Sequence, residues 1–173
     1  RRDGSTYHTF FMDPVTGAPV RGATCQGYKD DSCWARGQAW GVYGTAISYR
    51  YTKRPEYLEA FRRVLSYYLD RLPEDLIPYW DMTFTEGDTE PRDSSSASIV
   101  ACGLLEAAKY ANPDQAAEYT LLAAQMLGSV AEHYAVRQGP QGIGLVRHGT
   151  YSKKSPYNTC CLLYTSDAAD EED

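Results

Sequence analysis

Ser32-Cys-Trp-Ala-Arg-Gly-Gln-Ala-Trp-Gly-Val-Tyr-Gly-Thr-Ala-Ile-Ser-Tyr-Arg-Tyr51 reads as a helix, and its pattern decides the fold. Ser32 is the natural N-cap. Trp34, Ala35, Gln38, Val42 and Ala46 recur at helical spacing, and so do Ala39, Tyr43 and Ile47. The apolar positions cover more than one side. A helix of that kind has to be covered by others, so it is expected to be an inner helix.

The rest of the chain supplies the cover. A second helix starts with Pro55 in its first turn and stops at Pro73. Leu58, Phe61, Val64, Leu65, Tyr68, Leu69 and Leu72 form its single apolar stripe, while Glu56, Glu59, Arg62, Arg63 and Asp70 face water. A third, polar-poor helix is predicted from Ser94 to Tyr110, and a fourth from Asp114 to Val136 after the Asn112-Pro113 break. Residues 1–32, 73–93 and Gly139–Gly144 read as loops. Thr6–Met12 and Leu145–Tyr151 read as short strands or extended segments. Asp13-Pro-Val-Thr-Gly17 is turn chemistry. Inner and outer helices thus alternate, with pairs starting roughly sixty residues apart, which suggests a helical toroid or solenoid. The loops before Ser32 and Ser94 both lead into inner helices of the same direction. Gln26, Asp30, Asp31 and Asp93 are therefore expected near one mouth.

The composition narrows the function. The chain has 173 residues, 43% of them hydrophobic and fifteen of them tyrosine. Tyrosine suits a sugar face as well as a core. The net charge of −6 comes mostly from Asp167, Asp170, Glu171, Glu172 and Asp173; without them the 23 acids fall to 18, against 17 bases. No basic stripe exists, so nucleic acid is not an expected partner. Cys25, Cys33, Cys102, Cys160 and Cys161 show neither zinc spacing nor a disulfide framework, which fits reduced thiols in the cytoplasm. No apolar run is long enough to span a membrane, and no signal peptide is visible, although the chain opens on Arg1 rather than Met and a leader could precede it.

Several residues could carry chemistry. Arg36 and Trp40 are four apart, an arrangement suited to a uronic acid: the guanidinium takes the carboxylate and the indole stacks on the ring. A buried arginine satisfying loop carbonyls beneath a core tryptophan fits the same spacing equally well. His8 and Gln26, on loops feeding the mouth, could bind sugar hydroxyls or hold a water, or be plain structural residues. Asp30, Asp31, Asp81, Asp88 and Asp93 supply carboxylates of the kind glycoside chemistry uses in pairs. Asp93 before Ser94-Ser95-Ser96, and Asp30-Asp31 before the first helix, read equally as helix-capping acids. No nucleophile elbow, Walker loop or dinucleotide fingerprint occurs.

Tyr7-His-Thr-Phe-Phe-Met-Asp-Pro-Val-Thr-Gly17, Gln26-Gly-Tyr-Lys-Asp-Asp-Ser-Cys-Trp-Ala-Arg-Gly-Gln-Ala-Trp-Gly-Val-Tyr-Gly44, Pro78-Tyr-Trp-Asp81, Arg92-Asp-Ser-Ser-Ser-Ala-Ser-Ile99 and Ala101-Cys-Gly-Leu-Leu-Glu106 resemble unsaturated glucuronyl hydrolases of glycoside hydrolase family 88. The resemblance spans nearly all of 1–160. It implies an all-α fold, part of an (α/α)6 barrel or six-hairpin toroid, with short strands in the loops. It implies an enzyme that hydrates the C4=C5 double bond of a non-reducing-end unsaturated uronic acid and so releases it from lyase-generated oligosaccharides. It implies no metal or organic cofactor. His8, Gln26, Arg36 and Trp40 fall on the family's substrate-binding positions: Trp40 for stacking, Arg36 for the polar end and carboxylate, His8 and Gln26 for hydroxyls or water.

Two departures qualify this. The family's two essential aspartates would lie before Arg1, so 1–160 is expected to be the C-terminal portion of one domain, without catalytic residues and inactive alone. Cys161-Leu-Leu-Tyr-Thr-Ser-Asp-Ala-Ala-Asp-Glu171 resembles a translated sequencing adapter, so 161–173 is expected to be non-native. Two other functions remain open: the related unsaturated rhamnogalacturonyl hydrolases, which share the Trp-Ala-Arg-Gly core, and a non-catalytic carbohydrate-binding helical module.

Overall fold

The computed structural model describes residues 1–136 and 145–153. Two strands, β1 (Thr9–Met12) and β2 (Pro19–Ala23), precede four helices: α1 (Ala35–Thr52), α2 (Glu56–Leu69), α3 (Ser94–Ala108) and α4 (Pro113–Ser129). A single π-helical turn, Val130–Tyr134, extends α4. The expected Gly139–Gly144 loop and the tail from Cys161 lie outside the described residues.

β1 and β2 form an antiparallel hairpin. The turn between them is held by Asp13, whose carboxylate accepts from the Val15 and Thr16 amides and the Thr16 hydroxyl, while Gly17 takes φ +70°. The aromatic run was legible as β1. β2 was not, because Pro19-Val-Arg-Gly-Ala23 lacks a clean alternation.

Inner and outer helices divide as the apolar patterns require. α1 packs against both α2 and α3, and α3 also packs against α4. Ala35, Ala39, Val42 and Ala46 of α1 are buried, as are Ala97, Val100, Ala101 and Leu104 of α3. The outer helix α2 buries Phe61, Leu65, Tyr67 and Tyr68 and keeps Glu56, Glu59, Arg62 and Arg63 in water. Phe61 meets Tyr119 of α4 edge to face, with ring centroids 5.6 Å apart. The architecture is all-α, an arc of an α/α barrel built from two helix pairs. Trp40, Tyr51, Leu105, Leu121 and Leu127 remain exposed on the helices. Among the described residues no helix is long and apolar enough to cross a membrane.

Three local expectations are corrected. α1 begins at Ala35, and Ser32 does not cap it: the Ser32 hydroxyl lies 2.6 Å from Asp81 Oδ2. The Ala35 amide donates instead to the Trp80 carbonyl at 3.1 Å, so a neighbouring loop caps the helix. Asp93 occupies the N-cap position of α3, yet its side chain makes no cap bond. Leu145–Tyr151 is not a strand; it touches the body through the isolated bridges Ala135–Val146 and Asp93–Gly149, with His148 at φ +60°.

α1 and α3 approach closely at Gly103. A Cβ there would stand 3.1 Å from the Tyr43 amide nitrogen and Cα, and 3.0 Å from a Val42 methyl. Backbone atoms cannot yield as a side-chain tip can. Gly103→Ala is expected to force the inner helices apart and cost roughly 1–3 kcal/mol, read as a lower urea midpoint. A midpoint at or above that of the parent would disprove the tight contact.

Candidate functional site

The N-terminal ends of α1 and α3 open on one side of the arc. Four segments meet there: the turn 24–32, the loop 78–82, the entry 90–94 to α3, and the segment 147–153. A buried ion pair lies at their centre. Arg36 is 1% exposed and Asp93 0%. Arg36 Nε donates to Asp93 Oδ2 at 3.2 Å, and Nη2 donates to Oδ1 at 3.1 Å and to the Gly149 carbonyl at 3.3 Å. The Ser95 hydroxyl adds a bond to Oδ1 at 2.6 Å. This fork-on-carboxylate geometry explains why Asp93 does not cap α3. It also realises the alternative of a buried arginine holding a loop carbonyl. The charge of Arg36 is balanced within the chain by Asp93.

A second buried carboxylate shapes the entry to α1. Asp81 accepts from the Tyr28 amide at 2.8 Å, the Ser32 hydroxyl at 2.6 Å and the Thr83 amide at 3.0 Å. Asp30 accepts from the Thr24 amide and pairs with Arg21; Asp31 pairs with Lys29; Asp88 accepts from the Thr85 amide. The carboxylates gathered by sequence thus hold loops.

The structure brings His8 and Gln26 together through Trp34, Tyr151 and Ser152. The His8 ring lies tilted on Trp34, with centroids 4.5 Å apart. Trp34 Nε1 donates to the Tyr151 carbonyl at 2.9 Å, and its ring meets the Tyr151 ring edge to face at 5.6 Å. Gln26 Nε2 donates to the Tyr151 hydroxyl, and the Ser152 hydroxyl donates to the Gln26 carbonyl at 2.8 Å. Arg36 Cζ stands 5.3 Å from the centre of the Tyr151 ring. Gln26 Oε1 is buried with no hydrogen-bond partner among the described residues. An orphaned buried acceptor is costly to a fold. Burial holds the His8 imidazole below its ordinary range.

Trp40 stands apart from this cluster. It lies four residues beyond Arg36, about 6 Å along the helix. It is 39% exposed, and its recorded ring neighbour is Tyr43, at 6.3 Å. Its open indole face remains accessible to a sugar. Tyr151 carried no sequence signal, since its partners lie more than a hundred residues away. Among the described residues no group of His, Cys, Asp and Glu could hold a metal.

No protein-family model matches the chain. Known proteins do. It is 45% identical over 155 residues to the unsaturated chondroitin disaccharide hydrolase of Streptococcus pyogenes serotype M1, covering 88% of this chain and 39% of that protein. It is 39% identical over 153 residues to the unsaturated glucuronyl hydrolase of Bacillus sp. strain GL1, covering 87% of this chain and 41% of that protein. It superposes, with a TM-score of 0.79 and 43% identity, on a crystal structure of a mutant unsaturated glucuronyl hydrolase from Streptococcus agalactiae complexed with dGlcA-GalNAc6S, covering 92% of this chain and 43% of that one. The chain thus spans about two fifths of the length of the relatives it matches.

The ion pair makes a distinct thermodynamic prediction. Asp93→Leu or Arg36→Met alone strands the opposite buried charge and is expected to cost about 3–5 kcal/mol in urea unfolding. The double variant should lose far less than the sum. Additive losses would show that the two side chains are not coupled.

Proposed function

The chain belongs to the unsaturated glucuronyl hydrolases, glycoside hydrolase family 88, and we propose that it forms the sugar-recognising wall of such an enzyme. In this reading 1–160 is the C-terminal portion of one α/α barrel domain. The observation that carries the proposal is the Gln26 amide. Its nitrogen is fixed on Tyr151 while its buried oxygen lacks a partner among the described residues, beside a histidine seated on an indole.

The substrate is an unsaturated uronic acid at the non-reducing end of an oligosaccharide released by a polysaccharide lyase. The names of the relatives favour a glycosaminoglycan source over rhamnogalacturonan. The reaction adds water across C4=C5, a proton going to C4 and a hydroxyl to C5. The hemiketal so formed opens and releases the rest of the sugar chain as an alcohol. The proton donor that the family resemblance implies is an aspartate. The residues here bind and orient. Gln26, fixed on Tyr151, shapes the edge of the mouth, the half-buried His8 engages a polar group of the sugar, and Trp40 stacks its exposed face on a ring. Arg36, held by Asp93, braces Tyr151. The described cysteines Cys25, Cys33 and Cys102 are free thiols, which supports a reducing, cytoplasmic setting. A non-catalytic carbohydrate-binding module would share this wall; the family relationship favours the enzyme.

Titration of the chain with an unsaturated chondroitin disaccharide should change the fluorescence of Trp34 and Trp40 saturably. Trp40→Ala should weaken binding about tenfold, the equivalent of one stacked ring. The absorbance of the conjugated double bond should persist. No saturable binding would defeat the recognition role, and sustained loss of absorbance would show that the chain holds its own acid.

A further inference from the structure

We propose that the Thr24 hydroxyl acts with the Cys25 amide as a positioning pair that holds His8 as the neutral tautomer with its proton on Nε2, so that His8 meets the sugar as a hydrogen-bond donor. The inference deepens the reading of this mouth as a sugar site and rests on it. Its basis is an inventory of donors around one nitrogen. The Cys25 amide donates to His8 Nδ1 at 3.3 Å. An amide N–H can only donate, so Nδ1 presents its lone pair and carries no proton. The Thr24 hydroxyl lies 3.1 Å from the same nitrogen. Its oxygen already accepts from the Gly27 amide at 2.8 Å. Its single hydrogen is therefore free to turn to Nδ1. With Nδ1 serving two donors, the ring proton of the neutral imidazole resides on Nε2, where no hydrogen bond engages it among the described residues.

The surroundings agree. Trp34 covers one face of the ring. The groups packed at Nδ1 are Thr24 and Cys25, and no carboxylate pairs with the ring among the described residues. The nearby acids are committed elsewhere: Asp30 to the Thr24 amide, Asp81 to the Tyr28 amide and Ser32. Burial without a counter-charge favours the neutral ring. Protonating Nδ1 would set an N–H against the Cys25 N–H and turn the Thr24 hydroxyl away.

One hydroxyl thus links two recognition residues. Through Nδ1 it fixes which edge of His8 can donate. Through the Gly27 amide it holds the turn that carries Gln26. The wall then offers a donor from His8, held beside the turn that carries Gln26.

The test is long-range proton–nitrogen correlation spectroscopy on the 15N-labelled chain without ligand. Its three histidines, His8, His133 and His148, are distinguished by a His8→Gln control. The expected spectrum has His8 Nδ1 in the unprotonated range and Nε2 in the protonated range. Thr24→Val, which removes the hydroxyl and keeps the shape, should move His8 toward a tautomer mixture and weaken disaccharide binding about threefold to tenfold. Thr24→Ser should restore both. A protonated Nδ1 in the parent chain, or an unchanged His8 spectrum in Thr24→Val, would overturn the proposal. No disaccharide binding by the parent chain, with its Nε2–H signature as expected, would instead overturn the sugar-site reading. Should Thr24→Val fail to fold, the parent spectrum still decides the tautomer.

Discussion

Arg36 and Asp93 meet where the first turns of the two inner helices converge, and the mouth is built around that contact. A carboxylate at the N-terminus of α3 gains from the helix dipole, whereas a guanidinium in the first turn of α1 is opposed by one. Placing them against each other resolves the conflict with a single bidentate contact. Desolvation of two full charges consumes most of the Coulombic gain, so the pair adds little net stability over an apolar pair. What it supplies is uniqueness. Each partner is expensive to leave alone, so the helices can meet in one register only. The Gly149 carbonyl then closes on the same guanidinium and brings the 147–153 segment across both helix starts.

Asp81 does similar work without an ion pair. It is fully buried and satisfied by two amides and a hydroxyl. Those donors belong to the turn carrying Gln26, the approach to α1 and the loop after Trp80. The mouth is therefore framed by two buried carboxylates that hold backbone and other side chains. Their burial sets them apart from acids that would carry a proton to a sugar, which need an open path to it.

The helices were legible because their signals are local. The single stripe of α2 and the many-sided apolar pattern of α1 each follow from spacing within one segment, and Asn112-Pro113 marks the start of α4 by its own chemistry, the Asn112 side chain accepting from the Gln115 amide. The caps were misread for the opposite reason. Ser32 and Asp93 are good capping residues in isolation, but each found a stronger partner far along the chain, Asp81 for one and Arg36 for the other. The same limit applies to the site. His8, Gln26 and Trp40 could be named as candidates from the family pattern in the sequence. Spacing left the orientation of Arg36 open between two readings, and only its distance to Asp93 separates them. Tyr151 and Thr24 had no local signature, because their roles exist only when 8, 24–27, 34 and 151 are in one place.

That last arrangement has a consequence for the order of events as the chain is made. Every helix pair can form from neighbours within one stretch of sequence. The mouth cannot. Its ties join Gln26, Trp34 and Arg36 to Gly149, Tyr151 and Ser152, with separations of 113 to 126 residues. Contacts so distant in sequence are slow to find and are made late. On the ribosome the helical arc can assemble before residues 147–153 emerge, so the frame precedes the mouth that it supports.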